Sequence, residues 1–224
     1  MKHYFSLILL MMPFILIAQE YNNISAAIKK TEPDEKSLYF FCRGTLRKSS
    51  LIAQKFNIAD TNITHVGLGF FELGKPVIFH VSDNSSLPGT ALRKDSLQSF
   101  LDTQDIYYFS IWQYKTDEIV VEKAKKACLQ IFRKPIWFDG SFIIANDDSL
   151  YCSEFCARVL NNLGVAALNY DPITIELKNA FFQSVLERNF FTYFPVDFFQ
   201  SSNLFTKVFE YRFKGNPTSH LLNP

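Results

Sequence analysis

Net charge is nearly absent from this chain: 23 Lys and Arg stand against 22 Asp and Glu, a formal +1 at pH 7, and no basic block breaks the balance. A nucleic-acid partner is excluded on that ground, because holding phosphates takes a concentrated cationic surface. Beyond residue 18 no apolar run is long enough to cross a bilayer, so no stable membrane span is expected once the N-terminus is removed. Internal repeats and low-complexity segments are lacking too. Histidine is scarce. His3, His65, His80 and His220 are all there is, so chemistry that needs an imidazole has few places to put one.

The N-terminus then explains itself. Lys2 and His3, an apolar run from Tyr4 to Ile17, and Ala18 before Gln19 have the layout of a secretory signal peptide. The run is shorter than the ~20 residues of a spanning helix. Residues 1–18 read as a cleaved signal and 19–224 as a single exported domain, periplasmic or extracellular. No Cys sits near the cut, so no lipid anchor is expected there. What remains is long enough for a sizeable core, and the 24 Phe of the whole chain, all but Phe5 and Phe14 within it, are enough to line grooves as well.

Periodicity predicts a short helix over Asn23–Lys30, a strand over Ser37–Arg43 and a helix over Leu46–Phe56. Thr64–Phe71 and Pro76–Ser82 read as a hairpin turning at Leu73-Gly74. Asp95–Leu101 reads as a short capped helix, and Asp105–Trp112 as a strand. Asp117–Phe132 is the clearest amphipathic helix, and Leu150–Leu163 is another, stopped by Gly164. Leu204–Phe213 closes the chain as a strand. An antiparallel meander with interspersed helices is an α+β pattern.

Cys152 stands in D-D-S-L-Y-C-S-E-F-C, in the first turn of the Leu150–Leu163 helix with Asp148 or Ser149 as cap. A thiol there feels the positive end of the helix dipole, which favours thiolate. It needs a base. His220 lies four residues from the C-terminus and reads as a surface residue. His65 and His80 lie on the two strands of one hairpin, and paired positions sum to 147 or 145 depending on where the loop centres. In either register the two imidazoles share one face, because the side-chain period is two. Gly67 and Gly69 share that face and are expected to leave it open. His65 is then the base for Cys152, and His80 orients it.

The runs T-H-V-G-L-G-F-F, V-I-F-H-V and L-Y-C-S-E-F-C-A-R-V-L, in that order, resemble the permuted papain-like amidases of the YiiX/YaeF group, relatives of the NlpC cell-wall peptidases. The likeness spans roughly Ser37 to Tyr211. It implies a circularly permuted papain-like (NlpC-type) fold, an antiparallel sheet packed against the helix bearing the nucleophile, with Cys152 as nucleophile and His65 as base. It implies an amidase or peptidase acting through an acyl-enzyme on peptide or amide substrates, peptidoglycan-derived peptides among them, with no cofactor and no metal. The third position falls on His80, where many YiiX-like relatives carry an acidic residue. A His there resembles the lecithin–retinol acyltransferase branch, so a lipid acyl substrate stays open.

Tyr151 and Glu154 flank the nucleophile and are candidate substrate-binding residues, although Glu154 and Arg158 also have the spacing of a helix-face ion pair. Cys156 reads as core. Cys42 and Cys128 read as core or as a disulfide. Arg43 reads as a surface ion-pair residue or a contact for a substrate carboxylate. A third reading is a structural zinc on Cys152, Cys156, His65 and His80.

Overall fold

In chain order the computed structural model contains α1 (20–29), β1 (Ser37–Thr45), α2 (Lys48–Phe56), β2 (His65–Glu72), β3 (Lys75–Val81), β4 (Leu92–Ser96), α3 (Leu97–Leu101), β5 (Ile106–Lys115), α4 (Glu118–Phe132), β6 (Trp137–Phe138), β7 (Ser149–Leu150), α5 (Cys152–Asn161), β8 (Ile173–Glu176), α6 (Ala180–Leu186), β9 (Phe190–Tyr193) and β10 (Thr206–Arg212). The structure describes residues 20–83, 87–103, 105–144 and 146–213. The expected signal segment, 1–18, and His220 lie outside them. The chain divides between Asp34 and Glu35. The first unit contributes α1. The second holds the sheet, the remaining helices and every candidate site residue. Among the described residues no helix is long and apolar enough to cross a membrane.

Six strands form an antiparallel sheet in the order β10-β5-β1-β2-β3-β4. β1 is buried along its whole length. Its near-continuous apolar run suits a central strand covered on both faces. On one face Leu38, Phe40, Val66, Leu68, Phe70 and Phe79 pack with residues of α4 and α5 in a single core. The architecture is α+β, with an antiparallel sheet and several helices.

The β2–β3 hairpin pairs Glu72 with Lys75 and Leu68 with Phe79, so its positions sum to 147. Leu73 and Gly74 make the turn with positive φ of 51° and 71°, a two-residue loop whose twist matches that of the strands. His80 therefore lies opposite Gly67. The face the two glycines share is not open. A Cβ on Gly67 would come within 3.0 Å of the His80 Cβ, and one on Gly69 within 2.7 Å of the Phe41 ring. Glycine is required there because a ring and a histidine lie across the backbone.

Two boundaries differ from the sequence reading, and both matter for the site. Asp95 and Ser96 belong to strand β4, paired with β3. Only from Leu97 does the chain turn helical, with Ser96 accepting the Ser99 N–H as cap. Helix α5 starts at Cys152, with Tyr151 in the cap position, rather than at Leu150. Ser149 and Leu150 are held extended by parallel pairing with Trp137 and Phe138, which keeps the helix from starting earlier. All four cysteines are buried and free, so Cys42 and Cys128 form no disulfide.

Candidate active site

Cys152 opens α5, where helical N–H groups have no partner within the helix. Its thiol lies against the backbone N–H groups of Val66 and Ser153. Helix α5 packs on the sheet face of Val66 and Leu68. His65 belongs to the other face but is the first residue of β2. The two faces come together at the strand's end, where one cavity of about 80 Å³ is lined by both Cys152 and His65. No direct hydrogen bond joins thiol and imidazole there.

Behind His65 the polar side chains run in series. The Nε2 of His65 is 2.9 Å from Nδ1 of His80, and Nε2 of His80 is 3.0 Å from Oδ2 of Asp95. Arg93 closes the series with Nε 3.0 Å from the same oxygen and Nη2 donating to Oδ1 at 3.3 Å. The rings of His65 and His80 stand perpendicular, 5.0 Å apart, and each also meets Phe100. Since Nε2 of His65 is engaged, Nδ1 is the nitrogen left for the cavity. Asp95 escaped the sequence reading. The only signal for it was the alternation of Leu92, Arg93, Lys94 and Asp95, which places Arg93 and Asp95 on one side of a strand.

Arg43 pairs with His65 across β1 and β2, and it is buried rather than on the surface. Its Nη1 donates to the Phe100 carbonyl, the guanidinium sits 4.6 Å over the Phe100 ring, and Nε has no partner among the described residues. No surface ion pair forms. Burial, reinforced by Arg47, lowers the guanidinium to about 10.

The electrostatics describe an uncharged thiol and imidazoles at rest. Burial raises the Cys152 thiol above its ordinary value and outweighs the N–H groups of Val66 and Ser153 and the charge of Arg43, which pull the other way. The helix-end preference for thiolate is therefore present but overridden. Burial, then the charge of Arg43, holds His65 well below the usual imidazole range. Burial also lowers His80, to about 4, against the opposing effect of its hydrogen bond to Asp95. Burial alone would raise Asp95, but its bond to His80 and the charge of Arg93 hold it below its ordinary value. At neutral pH the site holds a thiol, two neutral imidazoles and one carboxylate.

Tyr151 lines the cavity, and its hydroxyl accepts the Phe194 N–H at 2.8 Å. Ser153, unremarked in the sequence, donates from Oγ to the Phe194 carbonyl at 2.7 Å. Together they clamp the segment that supplies Phe194, Pro195 and Val196 to the cavity wall. Glu154 is not among the lining residues. It is buried, its Oε1 takes the Arg158 Nη2 at 2.8 Å, and its Oε2 has no partner among the described residues. Burial pushes it up to about 7. The rest of the cavity wall is mostly apolar, from Ile52, Ala53 and Phe56 of α2 to Phe138, Phe142 and Phe191.

The fold is found elsewhere. A crystal structure of the metalloprotein YiiX from Escherichia coli O157:H7 superposes at a TM-score of 0.56 with 16% identity, covering 80% of this chain and 98% of that one. The two proteins share a fold. No family model matches the chain, and no curated protein matches it in sequence.

That YiiX is a metalloprotein raises the question of metal here, and the donor set does not fit one. His80 engages both ring nitrogens, with His65 and Asp95. Cys156 is enclosed in the core. Among the described residues no three His, Cys, Asp or Glu side chains converge on a common point. The zinc reading of Cys152, Cys156, His65 and His80 fails on that geometry.

Proposed function

We propose that this protein is an exported cysteine hydrolase of the permuted papain-like type, and the observation that carries the reading is that Cys152, at a helix start, and His65, backed by His80, line one cavity. Chain order supports it, since the histidine strands precede the cysteine helix, as does the fold shared with YiiX. His65 takes the thiol proton on Nδ1 as sulfur bonds to a substrate carbonyl carbon. The tetrahedral intermediate collapses, and the leaving amine or alcohol departs with that proton. Water then attacks the thioester, giving its proton to His65, and the acid is released as sulfur recovers a proton. The N–H groups at the start of α5 are the natural donors to the oxyanion. A neutral resting pair suits this order, with the base acting as the attack proceeds.

The cavity wall narrows the substrate. Among its described residues Asp83 is the only charged side chain, and Asp83 lies 3.7 Å from Arg47. Among the described residues no cation lines the wall to receive the carboxylates of a cell-wall stem peptide. An amide or ester with an apolar acyl group fits better, and a space of about 80 Å³ takes roughly three water-sized groups. The test is a panel of acyl esters, acyl amides and short peptides against the wild type and Cys152→Ala. Cleavage that vanishes in the variant is expected, strongest on acyl substrates. Activity on peptides alone removes the acyl reading, and turnover that persists without Cys152 removes the nucleophile.

A further inference from the structure

We propose that Asp95, held by Arg93, is a positioning residue that sets the tautomers of both histidines; the inference rests on the Cys152–His65 reading above. An ionised carboxylate has no proton to give. Asp95 is kept ionised by Arg93, which reaches both of its oxygens. The hydrogen between Asp95 and His80 at 3.0 Å therefore sits on His80 Nε2. His80 is neutral and has only one ring hydrogen, so its Nδ1 is a bare acceptor. The contact at 2.9 Å must then be donated by Nε2–H of His65. His65 is neutral too, so its Nδ1 carries a lone pair, which is what a base for the thiol requires.

The reverse order is equally consistent within the rings and is useless. If a donor stood at position 95, His80 would carry its hydrogen on Nδ1 and present it to Nε2 of His65. His65 would then bear hydrogen on Nδ1, the nitrogen left for the cavity, and could take no proton. One carboxylate thus decides between a working base and a blocked one. The charged groups facing the pair are Arg43 from β1, Arg47 ahead of α2, and Arg93 with Asp95 from β4. The three cations oppose a second proton on either ring, which keeps the series in its single-hydrogen form.

Asp95→Asn, made together with Arg93→Ala so that no guanidinium donor competes for the amide, tests this with little change in bulk at position 95, because the NH₂ is then free to donate to His80. The readout is the ¹⁵N NMR signature of the histidine rings together with the Cys152-dependent hydrolysis rate. In the wild type both rings are expected as Nε2–H tautomers. In the double variant both are expected as Nδ1–H, with a rate loss of about 10³- to 10⁴-fold, the scale of a wrong-tautomer base. Nε2–H tautomers retained in the double variant, or a rate within threefold of wild type, overturn the proposal. Should that variant fail to fold, Arg93→Gln, at a half-buried position, is expected to move the acid limb of the pH–rate profile to higher pH, and an unmoved limb counts against it. If Cys152 reactivity in the wild type already ignores His65→Ala, the underlying reading fails whatever Asp95 shows.

Discussion

Asp95 and Asp197 are two carboxylates taken largely out of water, and the molecule satisfies them in opposite ways. Asp197 is enclosed by backbone: the N–H groups of Ile58, Ala59 and Asp60 donate to it at 2.7–3.1 Å. Asp95 is met by side chains that titrate or carry charge, His80 and Arg93. Amide hydrogens cannot move, so Asp197 only ties the loop after α2 to the segment leading into β10. A ring hydrogen can change nitrogen, so Asp95 transmits a polarity to the next residue. The difference is between a carboxylate that fastens and one that orients.

Paired substitutions break or sharpen that contrast. The largest effect is expected from Asp95→Asn made with Arg93→Ala, which should remove three to four orders of magnitude of turnover while the melting temperature moves by only a few degrees. Asp197→Ala should do the reverse. Loss of several charge-assisted hydrogen bonds from a fully buried group costs about 4 kcal/mol, read as a lower denaturant midpoint, with the folded fraction retaining its specific activity. A variant pair that lost stability and turnover in equal measure would erase the distinction.

Acid separates the same regions more gently. His80 titrates at about 4 in the folded protein and near ~6.5 when unfolded. The unfolded chain binds the extra proton first, so stability falls as pH drops from about 6.5 to about 4, by about 3 kcal/mol from this ring. Glu154 works in the opposite sense. Its folded value of about 7 lies above the unfolded carboxyl, so it favours folding as pH falls. The histidine slope is therefore best read in Glu154→Gln, by denaturant titration at several pH values, where it should steepen. A smaller effect concerns the groove: each methylene added to a short acyl ester should raise kcat/KM roughly fourfold until the space fills. Ile52→Asp, on the partly exposed wall from α2, should flatten that series.

Much of the fold was legible in the residues because it rests on local rules. The 3.6-residue recurrence of α4, the alternation of β2 and β3, and Leu73-Gly74 at the turn each specify their element and, at the turn, the register. His65 and His80 share a face for the same reason. What stayed hidden depends on pairing between distant segments. Asp95 read as a helix start because its strand is short and polar and exists only through pairing with β3. Tyr151 became the cap of α5 because a parallel bridge to Trp137–Phe138 holds the residues before it extended. Arg43 looked like a surface residue, since nothing local shows that the Phe100 carbonyl waits for it. The thiol's resting state is hidden for a related reason: the helix end is visible in sequence, but the burial that outweighs it is not.

Whether His65 activates Cys152 is read from the rate of Cys152 alkylation by iodoacetamide across pH, in wild type and His65→Ala. The rate at pH 7.5 is expected to fall by at least about a hundredfold without the imidazole, and the thiol's uncatalysed reactivity in the variant to keep climbing beyond pH 9. Equal rates in the two proteins would mean that the cavity brings cysteine and histidine near one another without joining them in chemistry.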